Sequence, residues 1–290
     1  MIPSNNLSVL PWYTSIEQQN ARKWWVYNRI YPLFTPAGYI LPFQILLPYR
    51  ANPQMTSCTL YLVEPSMTID TDVAAKLNDT GFEFKQFSSL GYTVAVYPGF
   101  LPAFTAMGNG QYYLKITING EDFYSEVFTV VNDIEPYLKI EWWDNEDFAM
   151  DAGVIVYTEP RFRNRLYLMA DIAKPQYQFE EEGETRDGYF FPVKQISEKR
   201  YRFSFLASEY LLDVMRFIRM ADFAQITKNG QVYSLDTFLI TPEWEDNGDV
   251  AVVDAEFDTA TVAKKIGLGY IKAQRGDYND DFNDDYLINP

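Results

Sequence analysis

Histidine is absent from all 290 residues. Imidazole is the commonest general base near neutral pH and the commonest transition-metal ligand, so its absence excludes Ser-His-Asp and Cys-His catalysis and most zinc centres. Cysteine is almost as scarce. Cys58 stands alone, which excludes an internal disulfide and a thiolate metal cage. Lying in the strand-like run Ser57-Cys58-Thr59-Leu60-Tyr61-Leu62, it reads as a buried structural thiol and not as a nucleophile. Basic residues are few: 24 Lys plus Arg face 40 Asp plus Glu, a net charge of -16. Such a surface repels phosphate backbones and anionic lipid, so neither nucleic-acid binding nor membrane attachment is expected. No run approaches the roughly 18 apolar residues of a membrane span. The start, Met1-Ile2-Pro3-Ser4-Asn5-Asn6, has neither the basic opening nor the apolar stretch of a secretory signal. The expectation is a chain made in the cytoplasm and kept there, unless it leaves as part of a larger assembly.

Aromatic residues are what the chain has in excess. The 22 Tyr, 21 Phe and 6 Trp make up 17% of it, and these residues favour strands and recur at interfaces. Apolar residues at 47% and charged residues at 22% are those of a folded chain. The length suggests two domains.

Asn-Gly pairs between apolar or alternating runs mark hairpins, because a type I′ turn needs positive φ at both central residues. Asn119-Gly120 follows Leu114, Ile116 and Ile118, which share one face of a strand, and precedes Phe123 to Val131. Asn229-Gly230 and Asn247-Gly248 punctuate the later part in the same way, whereas Asn109-Gly110 reads as plain loop. Ten of the 16 prolines precede residue 136. Short strands broken by Pro and Gly turns suggest a β-sandwich over residues 1–135, with Asn132-Asp133-Ile134-Glu135-Pro136 as the linker. Residues 136–272 read as strands, one helix from Ser208 to about Met220, then strands, an α+β order in which Leu211, Val214, Met215 and Ile218 recur at helical spacing. Residues 273–290 hold five Asp and no Lys, with one Arg, and are expected to form an acidic flexible tail. The fold class is therefore mainly β.

Four groups invite a chemical reading. Asp277-x-Asn279-x-Asp281 opens like a calcium loop, but Phe282 stands where the turn needs Gly and Ile288 where the bidentate Glu belongs. The run Glu180-Glu181-Glu182-Gly183-Glu184 offers paired carboxylates, but glycoside hydrolysis needs two acids across a cleft, one with a raised pKa. A solvated hairpin tip, flanked by strands at Gln176-Tyr177-Gln178-Phe179 and Tyr189-Phe190-Phe191-Pro192-Val193, is the expectation, and such a tip can reach a neighbouring subunit. Trp24-Trp25 and Trp142-Trp143 could hold a sugar, yet adjacent strand residues face opposite sides, so one of each pair belongs to the core. Gly267-Leu268-Gly269 lacks the rest of a phosphate-cradling loop and reads as a turn. No catalytic, cofactor-binding or metal-binding residue, and no enzymatic activity, is expected.

Three stretches carry a resemblance: Gly188-Tyr189-Phe190-Phe191-Pro192-Val193-Lys194-Gln195-Ile196-Ser197-Glu198-Lys199, the helix start Leu206-Ala207-Ser208-Glu209-Tyr210-Leu211, and Phe238-Leu239-Ile240-Thr241-Pro242-Glu243-Trp244 followed by Phe257-Asp258-Thr259. From about residue 166 to 267 the chain resembles uncharacterised structural proteins of tailed phages and prophages of gut bacteria, and a β-sandwich with one flanking helix is similar to the tail-tube and distal-tail module. The first part looks like an immunoglobulin-type decoration. The resemblance implies a virion component of tail or baseplate, a homo-oligomer working with other tail subunits through protein-protein contacts. The competing expectation is a carbohydrate-binding module using exposed aromatic platforms.

Overall fold

The computed structural model describes residues 8–15, 17, 33–48, 58–63, 83–87, 92–97, 109–118, 120–145, 148–149, 155–156, 162–244 and 250–265. Within them the protein is mainly β, with one short helix. The Asn247-Gly248 turn, Trp24-Trp25, the Gly267-Leu268-Gly269 run and the tail with its Asp277-x-Asn279-x-Asp281 motif lie outside these residues. Among the described residues, no helix is long and apolar enough to cross a membrane.

In the first half the strand Gly110–Ile118 is central. It pairs antiparallel with Cys58–Val63, Glu121–Ser125 and Phe128–Val131, while Trp12–Tyr13 and Phe34–Pro36 lie at the outer edges. Leu114 and Ile116 on its alternating face are fully buried, as its sequence pattern requires. The turn into Glu121–Ser125 passes through Gly120 at φ +81°. A separate three-stranded sheet orders Phe43–Pro48, Tyr92–Tyr97 and Glu83–Phe87.

The second half holds two four-stranded sheets. One is ordered Asn164–Met169, Tyr137–Trp143, Phe223–Lys228, Gln231–Ser234, its last turn being Asn229-Gly230 with φ of +51° and +75°. This is the type I′ geometry that the dipeptide favours. The other is ordered Gln176–Arg186, Tyr189–Ser208, Val250–Lys265, Thr237–Trp244. Both sheets turn alternate apolar residues inward. Leu138, Ile140, Trp142, Leu166 and Leu168 come from the first, and Phe203, Phe205, Ala251, Val253, Ala255 and Phe257 from the second. Each fully buried large side chain contributes about 1.5–3 kcal/mol through removal from water.

Ser208 caps the helix Glu209–Met215, its hydroxyl accepting from the Leu211 amide at 3.2 Å. The chain tightens into a 3-10 turn at Arg216–Arg219, and Leu211, Val214, Met215 and Ile218 are buried against the sheets. The buried apolar cluster is continuous from Val9 to Phe257 and so runs across residues 132–136. There Phe34 packs on Tyr137 with ring centroids 4.7 Å apart, and the Tyr210 hydroxyl donates to the Ser8 carbonyl. Lys228 ties the same junction, donating to the Pro136 and Ala170 carbonyls at 2.8 and 3.0 Å.

Candidate functional site

The strands Gln176–Arg186 and Tyr189–Ser208 form one long antiparallel hairpin, paired from Gln176↔Arg200 to Arg186↔Tyr189. Its turn is Asp187-Gly188, with φ of +51° and +85°. This corrects the expectation for the acidic run: residues 180–184 sit inside the outer strand and the tip lies beyond them. Asp-Gly between two strand-forming runs was the available signal, and the denser charge of the glutamates masked it. The inner strand also runs unbroken for 20 residues. Pro192, which cannot donate to a ladder, is tolerated because it sits at the irregularity where the register shifts between Glu182 and Gly183. Gly183 is required there, because a Cβ at that position would lie 2.7 Å from the Phe190 ring and closer still to the Phe191 carbonyl.

Residues 176–185 are exposed along their whole length, and among the described residues no strand lies beyond them in the sheet. Alternation then gives the outer strand two chemically different faces. Tyr177 and Phe179 share one with Glu181, and are 58% and 73% exposed. Glu180, Glu182 and Glu184 share the other. Near the tip Tyr189 is 69% exposed. Cross-strand partners hold the side chains loosely: the Lys199 ammonium lies 5.5 Å over the Tyr177 ring, Lys194 is 3.4 Å from Glu182, and the Gln195 amide donates to Glu181.

The enclosed carboxylates behave differently. Glu141 accepts from Arg165 Nε and Gln225 Nε2 at 2.9 Å each and pairs with Lys139 at 2.8 Å. Burial opposes its ionisation, but the Lys139 hydrogen bond, the Arg165 charge and the Gln225 hydrogen bond more than offset that, so its carboxyl titrates below the ordinary range. Beside it, burial pushes the Tyr167 hydroxyl up to about 12. Asp258 receives a two-pronged contact from Arg200 at 2.9 and 3.1 Å, and Thr237 donates to it at 2.8 Å. The Arg200 hydrogen bond holds it below the usual carboxylate range against the opposing effect of burial. Both acids are saturated by partners, which suits a structural ion pair.

Compared with protein-family models and with curated proteins, the chain matches none. Among the described residues no group of three or more His, Cys, Asp or Glu side chains could hold a metal ion. Trp142 is buried and Trp143 turns outward, the division expected of adjacent strand residues. The Trp143 ring is already stacked on Phe223, at 5.4 Å and 18°, with the Arg163 guanidinium 4.1 Å from its centroid. A sugar would have to displace one of these contacts. Cys58 opens the strand Cys58–Val63.

Proposed function

We propose that the chain is a structural, non-enzymatic subunit that works by assembly with other proteins, a component of a phage-like tail or baseplate carried in the virion. In this reading the second half, a β-sandwich with its flanking helix, assembles, and the first half, an immunoglobulin-like sandwich, is displayed or docks. The observation that carries it is the long hairpin whose Tyr177, Phe179 and Tyr189 rings are exposed to solvent. Large rings left bare away from the core mark contact surfaces. Net acidity keeps unassembled subunits soluble.

Light scattering on the purified full chain tests this. The unaltered protein is expected to run as an oligomer. The double substitution Tyr177→Ser with Phe179→Ser is expected to shift it toward monomer while leaving the circular dichroism and melting temperature unchanged. A monomer in both cases, or a turnover traced to a defined pocket, would sink the reading.

A further inference from the structure

We infer that the outer strand of the long hairpin is a strand-addition site for a basic, amphipathic segment of a different protein. The inference rests on the assembly reading above and names the partner's chemistry. A long strand at a sheet edge presents a row of main-chain donors and acceptors to any strand that can pair with it. Gln176–Arg186 is such an edge, exposed over 176–185 and regular in its pairing over 176–182.

The side chains choose the occupant. A strand added here places its residues directly opposite those of the edge, on the same faces. One face is acidic, through Glu180, Glu182 and Glu184, and the other is aromatic through Tyr177 and Phe179, with Glu181 beyond them. The complementary strand alternates Lys or Arg with apolar residues. The edge strand carries four Glu against one Arg, and the whole chain is at -16, so pairing with the same edge of a second copy sets like charges opposite one another. The chain's own end is excluded on the same ground, since residues 276–290 hold five Asp and no basic residue. Among the described residues no other edge strand carries more than one Lys or Arg. Charge thus argues against the described edges of a second copy, and the partner is taken to be another kind of subunit.

The test uses the full chain and three short labelled peptides sharing one extended apolar frame. The first has Lys at alternate positions, the second has Glu there, and the third is the Lys peptide N-methylated on alternate amides. Fluorescence anisotropy is expected to show saturable binding of the Lys peptide, weakened by roughly tenfold on N-methylation and by a similar factor in the variant Glu180→Lys, Glu182→Lys, Glu184→Lys. That variant should prefer the Glu peptide, and hydrogen exchange should show protection at 176–186 in the bound protein. No binding, equal binding of Lys and Glu peptides, or indifference to N-methylation overturns the inference. If light scattering still responds to the Tyr177 and Phe179 substitutions in that event, the assembly reading stands and only the strand-addition site falls.

Discussion

The strand Tyr189–Ser208 passes through two environments, and its two ends obey different rules. From Arg200 onward it pairs with Val250–Lys265, its inward residues Phe203, Phe205 and Ala207 buried and its outward residues tied across the sheet. On that outward face Arg200 meets Asp258, Arg202 meets Glu256 at 2.7 Å, and the Ser204 hydroxyl donates to Asp254. Toward Tyr189 the same strand leaves the core behind, and its hairpin partner exposes rings and carboxylates alike. One strand thus borders a core at one end and belongs to a bare two-faced ribbon at the other. The distinction follows the residues as well as the packing: Phe203, Phe205 and Ala207 join the buried cluster, while Lys194 to Lys199 is mostly polar.

Substitutions can break or sharpen that contrast. The largest effect is expected at the enclosed end: Phe257→Ala removes a fully buried ring that stacks on Tyr201 at 5.2 Å and should lower stability by about 3–5 kcal/mol in urea unfolding. Next comes Asp258→Asn, which breaks the charged contact with Arg200 and should cost about 1–2 kcal/mol, discounted because Arg200 is partly exposed. Because the folded pKa of Asp258 is lowered, its contribution is complete above the unfolded value of about 3.9 and is lost as pH falls through the lower folded one. Urea midpoints against pH should therefore fall on acidification below about 4, and less steeply in Asp258→Asn. Ser208→Ala removes the hydroxyl that caps the helix and should cost about 1 kcal/mol by the same assay. Smallest is Phe179→Ser on the bare ribbon, expected to change stability by less than about 0.5 kcal/mol. A larger loss there would mean that the ribbon is part of the folding core.

Local chemistry made much of this legible before any coordinates. Asn229-Gly230 dictates a turn because only positive φ satisfies it, and Ser208 ahead of Leu211, Val214, Met215 and Ile218 marks a helix start that depends on nearby residues alone. The division of Trp142 from Trp143 follows from strand geometry. The long hairpin was harder. Pro192 and the polar stretch from Lys194 to Arg200 interrupt the alternation that signals a strand; pairing with Gln176–Arg186, joined from Lys194 by Val250–Lys265, keeps the chain extended through them. The acidic run looked like a tip because charge usually marks turns, while the turn itself rested on the two residues Asp187 and Gly188.

By itself the amino-acid sequence determined the β-rich character, the loss of imidazole and paired-thiol chemistry, and the turns whose φ requirements few residues meet. These depend on composition or on neighbours along the chain. Tertiary structure alone decided that the buried cluster would cross residues 132–136, that Glu141 and Asp258 would be enclosed by partners far away in sequence, and that the glutamates of 180–184 would line an open edge. A carboxylate's surroundings are set by which strands lie beside it, and that choice is made by long-range packing of apolar faces, which no local pattern encodes.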